Sequence, residues 1–136
     1  MIFSAHSLPE RILEWNDPYP DQLIATAEAV LQRLDDQPYD FAYQSAAISN
    51  EPWLGPDVSV LIERYAQQGK KNIISCQIGF VCEHVEVLYD IDIVYQKLAR
   101  SLGVRLERIE MVHTEPKMIA GLAELVRKTA KEANWL

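Results

Sequence analysis

The sequence predicts an α/β fold, a four-stranded parallel sheet in a flavodoxin- or Rossmann-like three-layer α/β/α arrangement. Three observations predict it. Short apolar runs alternate four times with longer stretches of helical periodicity. Gly, Pro and other turn-forming residues punctuate the junctions. Hydrophobic residues make up 49% and charged residues 24% of 136 residues, which is enough for one core of ordinary size without staples. Parallel strands joined through helices take right-handed crossovers, and these are expected to cover both faces of the sheet. The expected strand order is 2-1-3-4, in a single domain over residues 1–136.

Residues 2–5 are short and apolar and read as a buried strand ending at the turn-forming His6-Ser7-Leu8-Pro9. A short helical turn follows over residues 9–14. The segment Asn16-Asp17-Pro18-Tyr19-Pro20 is a loop, because each Pro disfavours helix in the residue before it. Residues 21–34 form a helix with Leu23, Ala27, Val30, Leu31 and Leu34 on one face. Residues 41–45 are the second strand, and 46–56 a long loop holding two prolines and Trp53. Asp57 caps a helix striped by Val58, Leu61, Ile62 and Tyr65, which ends near Gly69. Residues 72–77 are the third strand, and Gly79 marks the turn after it. A long helix spans residues 83–102, with Leu88, Ile91, Tyr95 and Leu98 on one face, and Gly103 stops it. Residues 106–112 are the fourth strand. The last helix, residues 117–132, opens beside Pro116 and carries Ile119, Leu122 and Val126 as its stripe.

Twenty acidic residues against 13 basic ones give a net charge of −7. That balance argues against a nucleic-acid module, which needs a basic face to neutralise phosphates. Cys76 and Cys82 lie six apart beside one apolar segment. They read as reduced thiols of a cytoplasmic protein, not as a disulfide framework or zinc knuckle. The opening MIFSAHSLPE has no basic region and no long apolar run, and no segment approaches a membrane span. Gly55 and Gly79 are isolated, so a phosphate-binding fingerprint is absent. Ser4 and Ser7 lack the flanking glycines of a nucleophile elbow.

In a parallel sheet the functional loops lie beyond the carboxyl ends of the strands. Here those loops begin at His6, Ala46 and Gly79. His6 either closes a turn by hydrogen bonding or serves a site. Glu86 and Asp90 are four apart, on one face of the long helix. They are either a solvated acidic face or a pair whose repulsion a cation relieves. His84 points elsewhere unless that helix is distorted. With strands one and three adjacent, His6 and Glu86 face each other across a small gap. Imidazole and carboxylate suit a borderline divalent metal such as ferrous iron, and the same groups accept protons near neutral pH. Trp53 either anchors its loop or offers a flat wall to a planar ligand. Tyr43, Gln44 and Ser45 end strand two and are expected at the same mouth.

Three ordered blocks resemble one family. They are Ser4-Ala5-His6-Ser7-Leu8-Pro9 with Asp17-Pro18-Tyr19-Pro20-Asp21-Gln22, then Tyr43-Gln44-Ser45 with Pro52-Trp53-Leu54-Gly55-Pro56-Asp57-Val58, then Ile78-Gly79-Phe80-Val81-Cys82-Glu83-His84-Val85-Glu86-Val87-Leu88-Tyr89-Asp90. Together they resemble the carboxy-terminal half of ferrochelatases, with the Ser45-to-Trp53 spacing of the Gram-positive coproporphyrin type. The resemblance implies a chelatase-like half and insertion of Fe2+ into coproporphyrin III or protoporphyrin IX. Iron is then a substrate, and no cofactor is permanently bound. It implies His6 and Glu86 as the catalytic pair, and His6, Glu86 and Asp90 as metal-handling groups. Ser45, Trp53, Tyr43 and Gln44 are implied as substrate-binding. It also implies a π-bulge in the acid-bearing helix. The partner it implies is an amino-terminal chelatase half or a second copy of the chain, with exposed apolar surface on the last helix. Two other classes remain open: a metal- or tetrapyrrole-binding half-domain without turnover, and a half-size homodimer of cobalt-chelatase type. The family's third acid position falls here at Val94, its usual proline at Gln77, and its usual aspartate before His84 at Glu83.

Overall fold

The computed structural model describes residues 1–35 and 37–135; residue 136, the end of the expected domain, lies outside them. The strands are β1 (Ile2–His6), β2 (Asp40–Gln44), β3 (Asn72–Cys76) and β4 (Arg105–Arg108). All are parallel, in the order β2-β1-β3-β4. The helices are α1 (Tyr19–Leu31), α2 (Val58–Gln67), α3 (Val85–Tyr89), α4 (Gln96–Ser101) and α5 (Pro116–Glu132). A 3-10 turn spans Glu10–Trp15, and a π-helical stretch, Asp90–Tyr95, joins α3 to α4. The expected alternation and strand order therefore hold.

Residue chemistry explains the boundaries. Helix α1 starts two residues earlier than Asp21 because Pro18 and Pro20 occupy its cap and first turn, where a missing N–H costs nothing. Asp57 caps α2 by accepting the Ser59 N–H at 2.8 Å. Strand β4 is shorter than residues 106–112, because β3 offers it partners only from Asn72 to Ser75. The chain then leaves the sheet through a loop in which His113 holds a left-handed φ of 43°. Gly79 is fixed by packing: a β-carbon there would lie 2.5 Å from the Cβ of Ala5 and 2.9 Å from its Cα. That close approach lets the loop after β3 rest on β1, with the Gly79 N–H donating to the Ser4 carbonyl.

The main core joins one sheet face to α2, α3, the π-helical stretch and α4, through Ile2, Ala42, Leu61, Ile62, Ile73 and Leu106. The long helix contributes Val87, Ile91, Tyr95 and Ala99 to it, all buried. The stripe expected from sequence differs here: Leu88 is exposed, and Leu98 packs only at the margin. Each buried residue is four beyond the last. An α-helix turns about 100° per residue, so a step of four overshoots a full turn by about 40° and three steps drift about 120°. Winding the middle with wider i→i+5 turns offsets that drift and keeps all four side chains on the sheet.

The opposite face carries α1 as the third layer of the expected α/β/α arrangement, and part of it is left bare. Helix α1 packs Leu23 and Ala27 over Phe3, Ala5 and Tyr43. Helix α5 buries none of its residues, and Ile119, Leu122, Leu125 and Val126 are exposed. A groove of about 790 Å3 over Phe3, Ile74, Cys76 and Ile109 stays open beside α1. Inside the first core, Ser4 Oγ donates to Gln44 Oε1 at 3.0 Å, and Gln77 Nε2 donates to Ser75 Oγ at 2.6 Å.

Candidate active site

The carboxyl edge of the sheet carries an open cleft of about 460 Å3 lined by His6, Ser45, Ala46, Ala47, Trp53, Val85, Glu86, Tyr89 and Asp90. His6 is the last residue of β1, and its backbone is held on both sides. The Tyr19 hydroxyl donates to the His6 carbonyl at 2.8 Å, and the Ser7 N–H donates to the Gln44 carbonyl at 2.7 Å. The imidazole Nδ1 lies 2.5 Å from the Ser7 carbonyl oxygen. A carbonyl only accepts, so Nδ1 carries the proton. Nε2 is thereby turned toward the cleft, 3.5 Å from a carboxylate oxygen of Glu86. In the neutral ring two acceptors then face each other, and a proton or a cation between them relieves the contact. A donor-held imidazole is also the arrangement that orients a metal-binding nitrogen.

Glu86 stands in the first turn of α3 with its side chain 53% exposed, so its free oxygen opens to solvent. His84 approaches the same oxygen at 3.9 Å and leans on Phe80, with ring centroids 4.8 Å apart. Its position at the helix cap, not inside the helix, brings it onto the Glu86 side. Asp90 starts the π-helical stretch and accepts from the Ser45 hydroxyl. Ser45 holds this contact from a left-handed backbone, φ 60°, which costs a non-glycine residue about 1–2 kcal/mol. Such stored strain is typical of positions that aim a side chain at a site.

The long loop after β2 is pinned to the segment after His6. The Leu54 N–H donates to the Leu8 carbonyl, and the Glu10 N–H donates to the Pro52 carbonyl, each at 2.9 Å. The Ser7 hydroxyl donates to the Leu54 carbonyl at 2.7 Å. Trp53 sits between these bonds, and its indole N–H donates to Ser49 Oγ at 2.8 Å. Its ring therefore forms one side of the cleft.

The structure brings together His6, Ser45, Trp53, Glu86 and Asp90. It does not place Tyr43 or Gln44 at the mouth, and both expectations are corrected. Tyr43 points to the α1 side, packed with Phe41, Leu23 and Ala5. Gln44 is fully buried against Ser4. Neighbouring strand residues face opposite sides, so three consecutive ones cannot share a mouth. Sequence reasoning missed Val85 and Tyr89. Their signal was present: two large apolar residues four apart, flanking Glu86 on one helical face.

Fold and cleft together define an α/β domain whose cleft, apolar in most of its lining, sits at the carboxyl edge of a parallel sheet, between a strand-end imidazole and two helix-borne carboxylates. The family model for ferrochelatase matches residues 1–130, and the chain belongs to that family. The ferrochelatase of Herpetosiphon aurantiacus is 44% identical over 126 residues, covering 93% of this chain and 41% of that protein. The ferrochelatase of Deinococcus radiodurans is 45% identical across 97% of this chain and 42% of its own length. The coproporphyrin III ferrochelatase of Geobacillus thermodenitrificans is 42% identical across 98% and 43%. The chain thus spans less than half the length of these relatives. Among solved structures, a cobalamin (vitamin B12) biosynthesis CbiX protein from Marinobacter aquaeolei superposes with a TM-score of 0.67, covering 96% of both chains at 15% identity. That likeness concerns the fold. Among the described residues no helix is long and apolar enough to cross a membrane.

Proposed function

We propose that this chain supplies one wall of a ferrochelatase site, in which Fe2+ enters coproporphyrin III or protoporphyrin IX. The observation that carries the reading is the His6–Glu86 pair, 3.5 Å apart, with Nε2 freed toward the carboxylate by the Nδ1 contact to Ser7. Metal insertion replaces two pyrrole N–H protons of the macrocycle by one Fe2+, so the site must accept two protons while it guides a cation. Glu86 and His6 are bases on one side of the ring, and proton acceptance by a placed base contributes about 10²–10⁴-fold. Asp90, held by Ser45, lies one helical turn further and continues the acidic path. Trp53, Val85 and Tyr89 give flat and apolar surface to a planar ligand. Iron is a substrate in this reading, and no resident cofactor is required. Reduced thiols fit a cytoplasmic setting, with Cys76 buried and Cys82 exposed, both free.

The cleft is open, so a second wall is needed to enclose a porphyrin. The apolar face of α5 and the bare groove beside α1 support a partner, either an amino-terminal chelatase half or a second copy of the chain. Openness also favours a second reading, a half-domain that holds metal or tetrapyrrole without turnover. Anaerobic mixing of the chain with Fe2+ and coproporphyrin III, with and without an amino-terminal half, separates the two. Metalloporphyrin bands that appear with the supplied half, and fall at least 100-fold in His6→Ala, are the expected result. Full activity in His6→Ala removes the roles given to the pair. A porphyrin band shift without metalloporphyrin makes the chain a binding module.

A further inference from the structure

Both carboxylates of the cleft ride on a segment that holds itself poorly. Helix α3 has only five residues, its cap residue His84 makes no capping hydrogen bond, and the chain passes at once into the π-helical stretch. Something outside the helix must fix its entry and its winding. One side chain touches both ends. Arg108, the last residue of β4, is 15% exposed. Its Nε and Nη2 donate to the two oxygens of Asp92 at 2.9 and 3.0 Å, a planar fork. Its Nη1 donates to Glu83 at 3.2 Å and to the Ile109 carbonyl at 3.3 Å. The other Glu83 oxygen meets the His113 imidazole, and the His113 backbone N–H donates to the Val81 carbonyl at 2.8 Å. Glu83 lies just before α3 and Asp92 inside the π-helical stretch, so Glu86 and Asp90 fall between the two anchors.

We infer that Arg108 is a positioning residue that clamps this segment from outside the cleft and so sets where Glu86 and Asp90 point. It touches neither carboxylate. The charges agree with a formed network: the two carboxylates raise the Arg108 pKa, with the Asp92 hydrogen bonds as the leading cause. Desolvation pushes Glu83 upward, yet Arg108 and His113 outweigh it and hold its carboxyl below the ordinary range. Simple charge neutralisation would need only a cation. The fork on Asp92 plus the separate bond to Glu83 needs a guanidinium, since an ammonium has no planar fork.

The role assigned to Arg108 rests on the reading of His6 and Glu86 as a metal-handling pair, and two measurements on the same variants keep the ideas apart. The first is amide exchange of the folded chain. In Arg108→Gln, exchange across residues 85–95 should quicken at least 10-fold while β1, β2 and α1 stay as protected as before. Arg105→Gln, which breaks the exposed Arg105–Glu107 pair, should leave residues 85–95 unchanged. No change, or a uniform rise through every element, overturns the clamp. The second is a Co2+ titration followed by visible absorption. Arg108→Gln and Arg108→Lys should both weaken Co2+ about 10-fold, the typical cost of losing a group that orients a ligand. Wild-type affinity in Arg108→Lys reduces the residue to a charge and overturns the proposal. Equal Co2+ affinity in His6→Ala and wild type removes the metal-pair reading instead, and the exchange result then decides the clamp alone.

Discussion

Asp40 shows how one side chain ties the sheet edge to a helix. Arg64 of α2 reaches it at 2.5 Å, and the Tyr65 hydroxyl donates to the same oxygen. Desolvation lifts the Asp40 carboxyl, but the Tyr65 and Arg64 contacts outweigh it and hold its pKa below the ordinary value. A depressed folded pKa stabilises the fold above the unfolded pKa of about 4 and loses that contribution as pH falls through the folded value. Asp40→Asn should therefore cost roughly 0.5–1 kcal/mol near pH 7, the range of a solvent-screened pair. Urea titrations should show that gap closing below about pH 4; an equal gap at pH 3 and pH 7 would contradict the account. At this scale the sequence was readable where one residue had one place to go. His6 ends β1, and Glu86 opens the helix after β3, the strand beside β1, so topology alone brings them together. Tyr43 and Gln44 were misplaced because adjacency in sequence is not adjacency on a strand face.

At the scale of elements, the long helix is held through its flanks. The Tyr95 hydroxyl donates to Asp57 Oδ2 at 2.9 Å, while Asp57 Oδ1 caps α2. One aspartate thus fixes the start of α2 and the end of the π-helical stretch. Asp57→Ala should cost about 2–3 kcal/mol, combining a lost cap with a buried hydroxyl left unpaired. Asp57→Asn keeps one acceptor oxygen for the cap but turns an NH2 donor toward the Tyr95 hydroxyl, so it should recover the share of the cap, about 1 kcal/mol, and not the rest. A loss under about 0.5 kcal/mol in chemical denaturation, the size of an ordinary surface change, would mean that the two helices are not joined this way. The existence and order of the elements were legible, because apolar period and turn residues agree along the chain. The buried stripe of the long helix was not. Leu88 and Leu98 look better suited to a core than Ala99, and only the wider winding makes Val87, Ile91, Tyr95 and Ala99 one row.

For the whole molecule, covered and uncovered surfaces are sharply divided. The face behind the cleft is filled by α2 to α4, and the other is half bare. Helix α5 carries a regular apolar stripe, Ile119, Leu122, Leu125 and Val126, none of it buried among the described residues. Leu122→Glu should change unfolding free energy by less than about 0.5 kcal/mol, as for any exposed site, and should reduce binding of a dye that reports exposed apolar surface. A loss of about 2 kcal/mol or more, the cost of disturbing a packed core residue, would show that α5 packs within the chain. The stripe itself was plain in the sequence. Its lack of a partner followed only from the family resemblance, since periodicity names a face without saying what covers it.

The wider winding between α3 and α4 has a consequence for how this chain tolerates change in length. Residues 86 to 95 work as a phase setting between two constraints, the core row beneath and the cleft above. A single-residue deletion there that restores ordinary helical pitch leaves seven residues at about 100° each between Val87 and Tyr95, about 20° short of two full turns, so the core row keeps its phase. What the deletion loses is length: Val87 and Glu86 move together about 1.5 Å along the axis toward Tyr95, so the core contact and the cleft carboxylate shift in one step. A change of length in this stretch is thus felt by the core and by the cleft at once.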